Sequence, residues 1–108
     1  MISGYRLMWL IVMFDLPVRT KEQRKKANNF RLYLLDLGFL KCQLSVYAKF
    51  CTSQEKSSTI FRRVRAALPA QGQVSILKIT DAQFKRITTF QNRINMALKN
   101  VPNQLELF

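Results

Sequence analysis

Apolar residues run without a break over residues 7–14 of the stretch LMWLIVMFDLP, then give way to Asp15 and stop at Pro17. A strand with one wet face alternates apolar and polar side chains, whereas a continuous run of this length suits a strand buried on both faces. The pattern therefore predicts a central strand with one carboxylate at its mouth. Beyond Pro17 the period changes. Thr20 and Gln23 fit a capping box, Ala27, Phe30, Leu34 and Leu37 recur at helical spacing, and Gly38 supplies the stop.

Residues 39–50, FLKCQLSVYAKF, contain β-branched and aromatic side chains with partial alternation and no proline, which predicts extended structure broken near residues 43–45. Thr52 and Glu55 suggest a second capping box, followed by a helix with Ile60, Phe61, Val64, Ala67 and Leu68 as its apolar stripe and Pro69 as its end. A further apolar strand is centred on residues 74–79. Thr80, Asp81 and Gln83 then start a short helix covering Phe84 and Ile87. Past Asn92 the signals weaken; residues 100–103 read as a loop around Pro102, and residues 104–108, QLELF, alternate as a terminal strand would.

This order describes an α+β chain, a ferredoxin-like βαββαβ sandwich with both main helices on one sheet face and an extra C-terminal strand. The domain is expected over residues 1–92, with 93–108 as a C-terminal extension. Apolar side chains on both faces of the first strand leave one face to be covered, and a homodimer stacked sheet to sheet is the simplest cover. Trp9, Phe14, Tyr47 and, on the terminal strand, Leu107 are the candidate interface residues.

Charge changes the picture from fold to partner. The 108 residues carry 18 Lys and Arg against 6 Asp and Glu, a net charge of +12, beside a hydrophobic fraction of 48% that argues for a folded globule. Such an excess implies an anionic partner, nucleic acid foremost, because each neutralised phosphate also releases condensed counterions. Arg19, Lys21, Arg24 and Lys25 beside the first helix, and Arg62, Arg63 and Arg65 off the stripe of the second, are the candidate phosphate contacts; a solvated basic face is the plainer reading of both sets. Histidine is absent, so hydrolysis would fall to carboxylates, water or an oxygen-bound metal. Cys42 and Cys51 have no second pair and make neither a zinc nor a redox motif, and the apolar run of residues 7–14 is too short to span a bilayer, so a cytoplasmic protein is expected.

Asp15 is the candidate for chemistry, because a charge beside the core is costly unless a cation, a donor or water meets it. The plainer alternative is that it caps the turn before the helix. The ordered set of an apolar first strand ending in Asp, a basic helix closing on Leu-Gly-Phe, the run QLSVYAKF and the later VSILKIT strand resembles the small adaptation-module family of CRISPR systems. This family is the second of the CRISPR-associated (Cas) proteins, the CRISPR-associated endoribonucleases; ITDAQF and QLELF resemble its variants beside single-effector systems. The resemblance implies a ferredoxin-like homodimer that joins the integrase subunits of the module in inserting new spacers from foreign DNA. It also implies a magnesium-dependent endonuclease activity with Asp15 as metal ligand and catalytic residue. Tyr47 stands where the family often has another aromatic.

Three other readings of the residues stay open. A non-catalytic scaffold would bind DNA through the helix cations and ignore chelators. An RNA-binding module of the same fold would stack bases on Trp9, Phe14, Tyr47 and Phe50, although the aromatic consensus with interleaved glycines is missing. A toxin-like ribonuclease shares the fold.

Overall fold

The computed structural model of the protein describes residues 7–95. Strand β1 (Met8–Asp15) lies between β3 (Val46–Cys51) and β4 (Gln73–Thr80), with β2 (Leu40–Gln43) outside β3, in the order β2-β3-β1-β4. All three pairings are antiparallel. Helices α1 (Lys21–Asp36) and α2 (Gln54–Ala66) complete a ferredoxin-like βαββαβ sandwich. The unbroken apolar run occupies the middle of the sheet, its helix-side face buried in the core and its outer face covered in part. Leu10 and Val12 enter a helix-side core with Phe30, Leu34, Tyr47 and Val64, whereas Trp9 and Ile11 pack with Ala48 on the outer face.

Local signals set the ends of α1. The Gln23 amide donates to Thr20 Oγ1 at 3.0 Å while the Thr20 amide donates to Gln23 Oε1 at 3.1 Å, closing the expected capping box. Gly38, at φ +97°, turns the chain out, and the Phe39 amide donates back to the Leu34 carbonyl. The β2–β3 break falls at residues 44–45, with Ser45 at φ +61°.

At α2 the cap differs from the expected Thr52 and Glu55 pair. Ser53 is the N-cap, in extended conformation, and its hydroxyl accepts from the Lys56 amide at 3.1 Å. One residue of shift puts Lys56 at the third helical position, so no reciprocal box forms; Glu55 instead lies in the first turn, where it complements the helix dipole. Of the expected stripe, Val64 is fully buried and Ile60 packs on the core, but Phe61 is exposed.

The outer face is partly closed by the chain itself. Thr80 and Gln83 form a capping box for α3 (Asp81–Phe84). Phe84 stacks on the Trp9 ring at 3.8 Å, and Trp9 Nε1 donates to Asp81 Oδ1 at 2.8 Å. Ile87, expected beneath this helix, is exposed. A hairpin of β5 (Phe90–Gln91) and β6 (Ile94–Asn95) follows, and its turn holds Asn92 and Arg93 at positive φ. The expected boundary between residues 92 and 93 thus falls inside a turn. The expected loop at 100–103, the terminal strand and Leu107 lie outside the described residues.

Strand alternation corrects two of the candidate interface residues. Phe14 shares the helix side with Leu10 and Val12, meeting the Phe30 ring edge-on at 5.3 Å and stacking with Tyr47 at 5.7 Å. Tyr47, opposite Val12, is 1% exposed in the same core. Neither side chain reaches the outer face. Trp9 does point outward, but it lies beneath Phe84.

The Tyr47 hydroxyl is buried with no hydrogen-bond partner among the described residues. A lone buried hydroxyl costs more than it returns, so Tyr47→Phe is expected to leave stability unchanged or raise it by about 1 kcal/mol. Urea unfolding checks this, and a loss of more than about 1 kcal/mol would point to a partner for that oxygen.

Candidate nucleic-acid interface and strand-end carboxylate

Asp15 is the last residue of β1 and pairs with Gln73 across the sheet. Its odd position places it on the outer face with Trp9 and Ile11, and it is exposed. Among the described residues its carboxylate takes part in no hydrogen bond or ion pair, so the cap reading of this side chain has no contact behind it. The backbone around it is tightly fixed: a Cβ on Gly72 would lie 2.7 Å from the Asp15 carbonyl oxygen and 2.8 Å from Leu16 Cδ2. The α2–β4 loop therefore closes directly on the end of β1.

Several of the expected cations gather at this end. Arg19, Lys21, Arg24 and Lys25 are all exposed. Arg24 is held over the approach to α1, donating through Nη1 to the carbonyls of Val18 at 3.2 Å and Arg19 at 3.0 Å. The ion pairs formed among the described residues, Lys26 with Glu22 and Lys85 with Asp81, involve none of the expected phosphate contacts. Gln23 Nε2 donates to Gln71 Oε1 at 3.3 Å, tying the start of α1 to the loop after α2. That link brings the C-terminal end of α2, with Arg65 in its last turn, to the same end of the sheet.

The other two arginines precede Arg65 on α2, Arg63 in the same last turn. Arg62 donates to Thr59 Oγ1 at 3.3 Å, and Arg63 lines a groove with Lys49 and Lys56. Sequence reasoning missed Lys49 and Lys56, as well as Lys78, whose ammonium donates to Gln54 Oε1 at 3.4 Å near the start of α2. A signal was present: in VYAKF and ILKIT each lysine interrupts positions that alternation assigns to the helix side.

No three His, Cys, Asp or Glu side chains come together to hold a metal among the described residues. One chain therefore offers a metal a single unengaged carboxylate at the strand end. That donor suits a hard cation which keeps most of its waters, provided a further oxygen ligand comes from substrate or from a second copy. The cysteines add nothing here. Burial pushes the Cys42 thiol up to about 11, and it also raises Cys51, against the opposing pull of Lys49, Lys78 and Lys56.

The fold and this surface define a small, strongly basic ferredoxin-like domain with an exposed strand-end carboxylate. The family model described as "CRISPR associated protein Cas2" matches residues 8–87, and the chain belongs to that family. Similar proteins include one from Paracidovorax avenae, 51% identical over 108 residues and covering 100% of both chains. A second, from Parvibaculum lavamentivorans, is 44% identical over 94% of this chain and 100% of its own. A third, from Flavobacterium psychrophilum, is 39% identical over 99% of this chain and 93% of its own. Each of the three is named a CRISPR-associated endoribonuclease Cas2. No helix among the described residues is long and apolar enough to cross a membrane.

Proposed function

We propose that this chain is a homodimeric nucleic-acid-binding protein of CRISPR adaptation that joins the integrase subunits in spacer acquisition and cleaves RNA phosphodiesters at Asp15 with magnesium. The observation that carries the reading is an exposed carboxylate at the end of the central strand, beside cations, none of which has a charged partner among the described residues. The names of the relatives support the choice of RNA as substrate.

Asp15 is the residue that would hold the ion. Magnesium, when bound, supplies Lewis-acid polarisation of a phosphodiester. Arg19 and Lys21 neutralise and orient the phosphate next to that carboxylate. With one such carboxylate among the described residues of a chain, the second comes from another copy. The outer face supports this pairing, since Met13 and Leu77 remain 37% and 46% exposed there beyond the cover of Phe84.

A second reading, a non-catalytic scaffold between integrase dimers, is favoured by the single strand-end acidic donor set against many cations without an acidic partner among the described residues. One variant separates the two. Leu77→Asp puts a charge on the exposed part of the outer face and is expected to give a single-chain mass by light scattering, with RNA cleavage lost at the same time. A variant that stays dimeric, or a monomer that cleaves at the wild-type rate, overturns the two-copy site.

A further inference from the structure

Three cations, Lys49, Lys56 and Lys78, converge near the end of the sheet opposite Asp15. In the register of β1, Met8 faces Cys51 and Thr80 whereas Asp15 faces Gln73, so the two ends are roughly 23 Å apart at the usual strand rise. From the Cys51 end a groove of about 390 Å3 runs between β3 and α2, with Lys49, Lys56 and Thr52 in its walls and Arg63, in the last turn of α2, further along it. Alternation turns Lys49 to the helix side with Tyr47 and Cys51. There its ammonium lies against Gly38, where a Cβ would come within 2.7 Å of Nζ. Lys78 is anchored close by on Gln54, and the field of Lys49, Lys56 and Lys78 is felt together at the Cys51 thiol.

Neither these three lysines nor Arg63 has a carboxylate within ion-pair distance among the described residues, and Glu55, the acid in the groove wall, pairs with none of them. Like charges drawn together without a counterion repel one another, and an anion relieves that repulsion. The groove reads no base. Its aromatic residue, Phe50, is turned to the outer face against Trp9 at 5.3 Å, so no free ring stands ready for stacking.

We propose that this groove is a second phosphodiester contact, in which Lys49 and Lys56 at the end of the domain away from Asp15, with Arg63 further along α2, grip the sugar-phosphate backbone of a nucleic acid. It rests on the nucleic-acid-binding reading above and adds a site that a strand passing Asp15 alone would not need.

The test is fluorescence anisotropy over a salt series with the full chain, using a labelled DNA duplex and a labelled RNA strand. For the duplex, K49Q/K56Q is expected to lower the slope of log affinity against log salt by about 2 and to weaken binding at least about tenfold near 0.1 M salt. K49R/K56R keeps the charges and is expected to restore both. K85Q/R86Q removes the same charge from the α3 region and is expected to leave the slope unchanged. A wild-type slope in K49Q/K56Q, or an equal loss in K85Q/R86Q, overturns the groove while leaving nucleic-acid binding in place. Wild-type protein that binds neither probe overturns the binding reading and the groove together. Circular dichroism and a melting curve on each variant ensure that a folded chain is being compared.

Discussion

RNA cleavage is expected to fall at least about a hundredfold when Asp15 is replaced by alanine, because a lost metal ligand removes several kcal/mol of transition-state charge stabilisation. The same loss is expected for the wild-type chain in excess chelator. Stability should hardly change, since the Asp15 side chain is exposed and bonded to nothing among the described residues. Duplex binding should persist in both cases because it rests on cations and not on the carboxylate or a metal. Spacer integration measured beside cleavage then separates the roles: cleavage lost with integration intact marks a nuclease that adaptation does not require. Unchanged cleavage in Asp15→Ala overturns the assignment and leaves the scaffold reading.

The second large effect belongs to Gly72. Its φ of +92° is a conformation that side-chain-bearing residues rarely adopt, and a Cβ there would meet the Asp15 carbonyl oxygen at 2.7 Å. That oxygen is part of the β1 backbone and cannot swing aside as a side chain can. Gly72→Ala is therefore expected to cost about 2–3 kcal/mol and to lower the melting temperature by roughly 10 °C or more. Cleavage should fall with it, since relief of the clash moves the strand end that carries Asp15. Gly38 provides the contrast. Its φ is similar, but its missing Cβ faces the flexible end of Lys49, so Gly38→Ala should cost clearly less. Equal melting temperatures for the two variants would show that the close approach at Asp15 carries no weight.

Much of the fold was legible because the signals were local and periodic. The continuous run of β1, the Thr20 box, the stop at Gly38 and the Thr80 box each depend on a few neighbouring residues. Where two hydroxyl residues stood side by side, at Thr52 and Ser53, spacing alone chose the wrong cap. The backbone conformation at Ser53 made the actual choice. Asp15 was legible as a charge at the mouth of an apolar strand. Its freedom from partners was not, because that depends on what every other segment does.

The order of elements, the central place of β1, the basic character of the surface and the place of Asp15 at the mouth of that strand follow from the sequence by itself, since each is written in hydrophobic period or net charge. Which side chains face which layer was decided only by the tertiary structure. Alternation along β1 sends Phe14 with Tyr47 to the helices and Asp15 to the outer face, and α3 folds Phe84 back over Trp9. The gathering of Lys49, Lys56 and Lys78 likewise needs strands and a helix far apart in sequence to end at one place. Those long-range placements come from packing two faces of one sheet, and no local pattern encodes them.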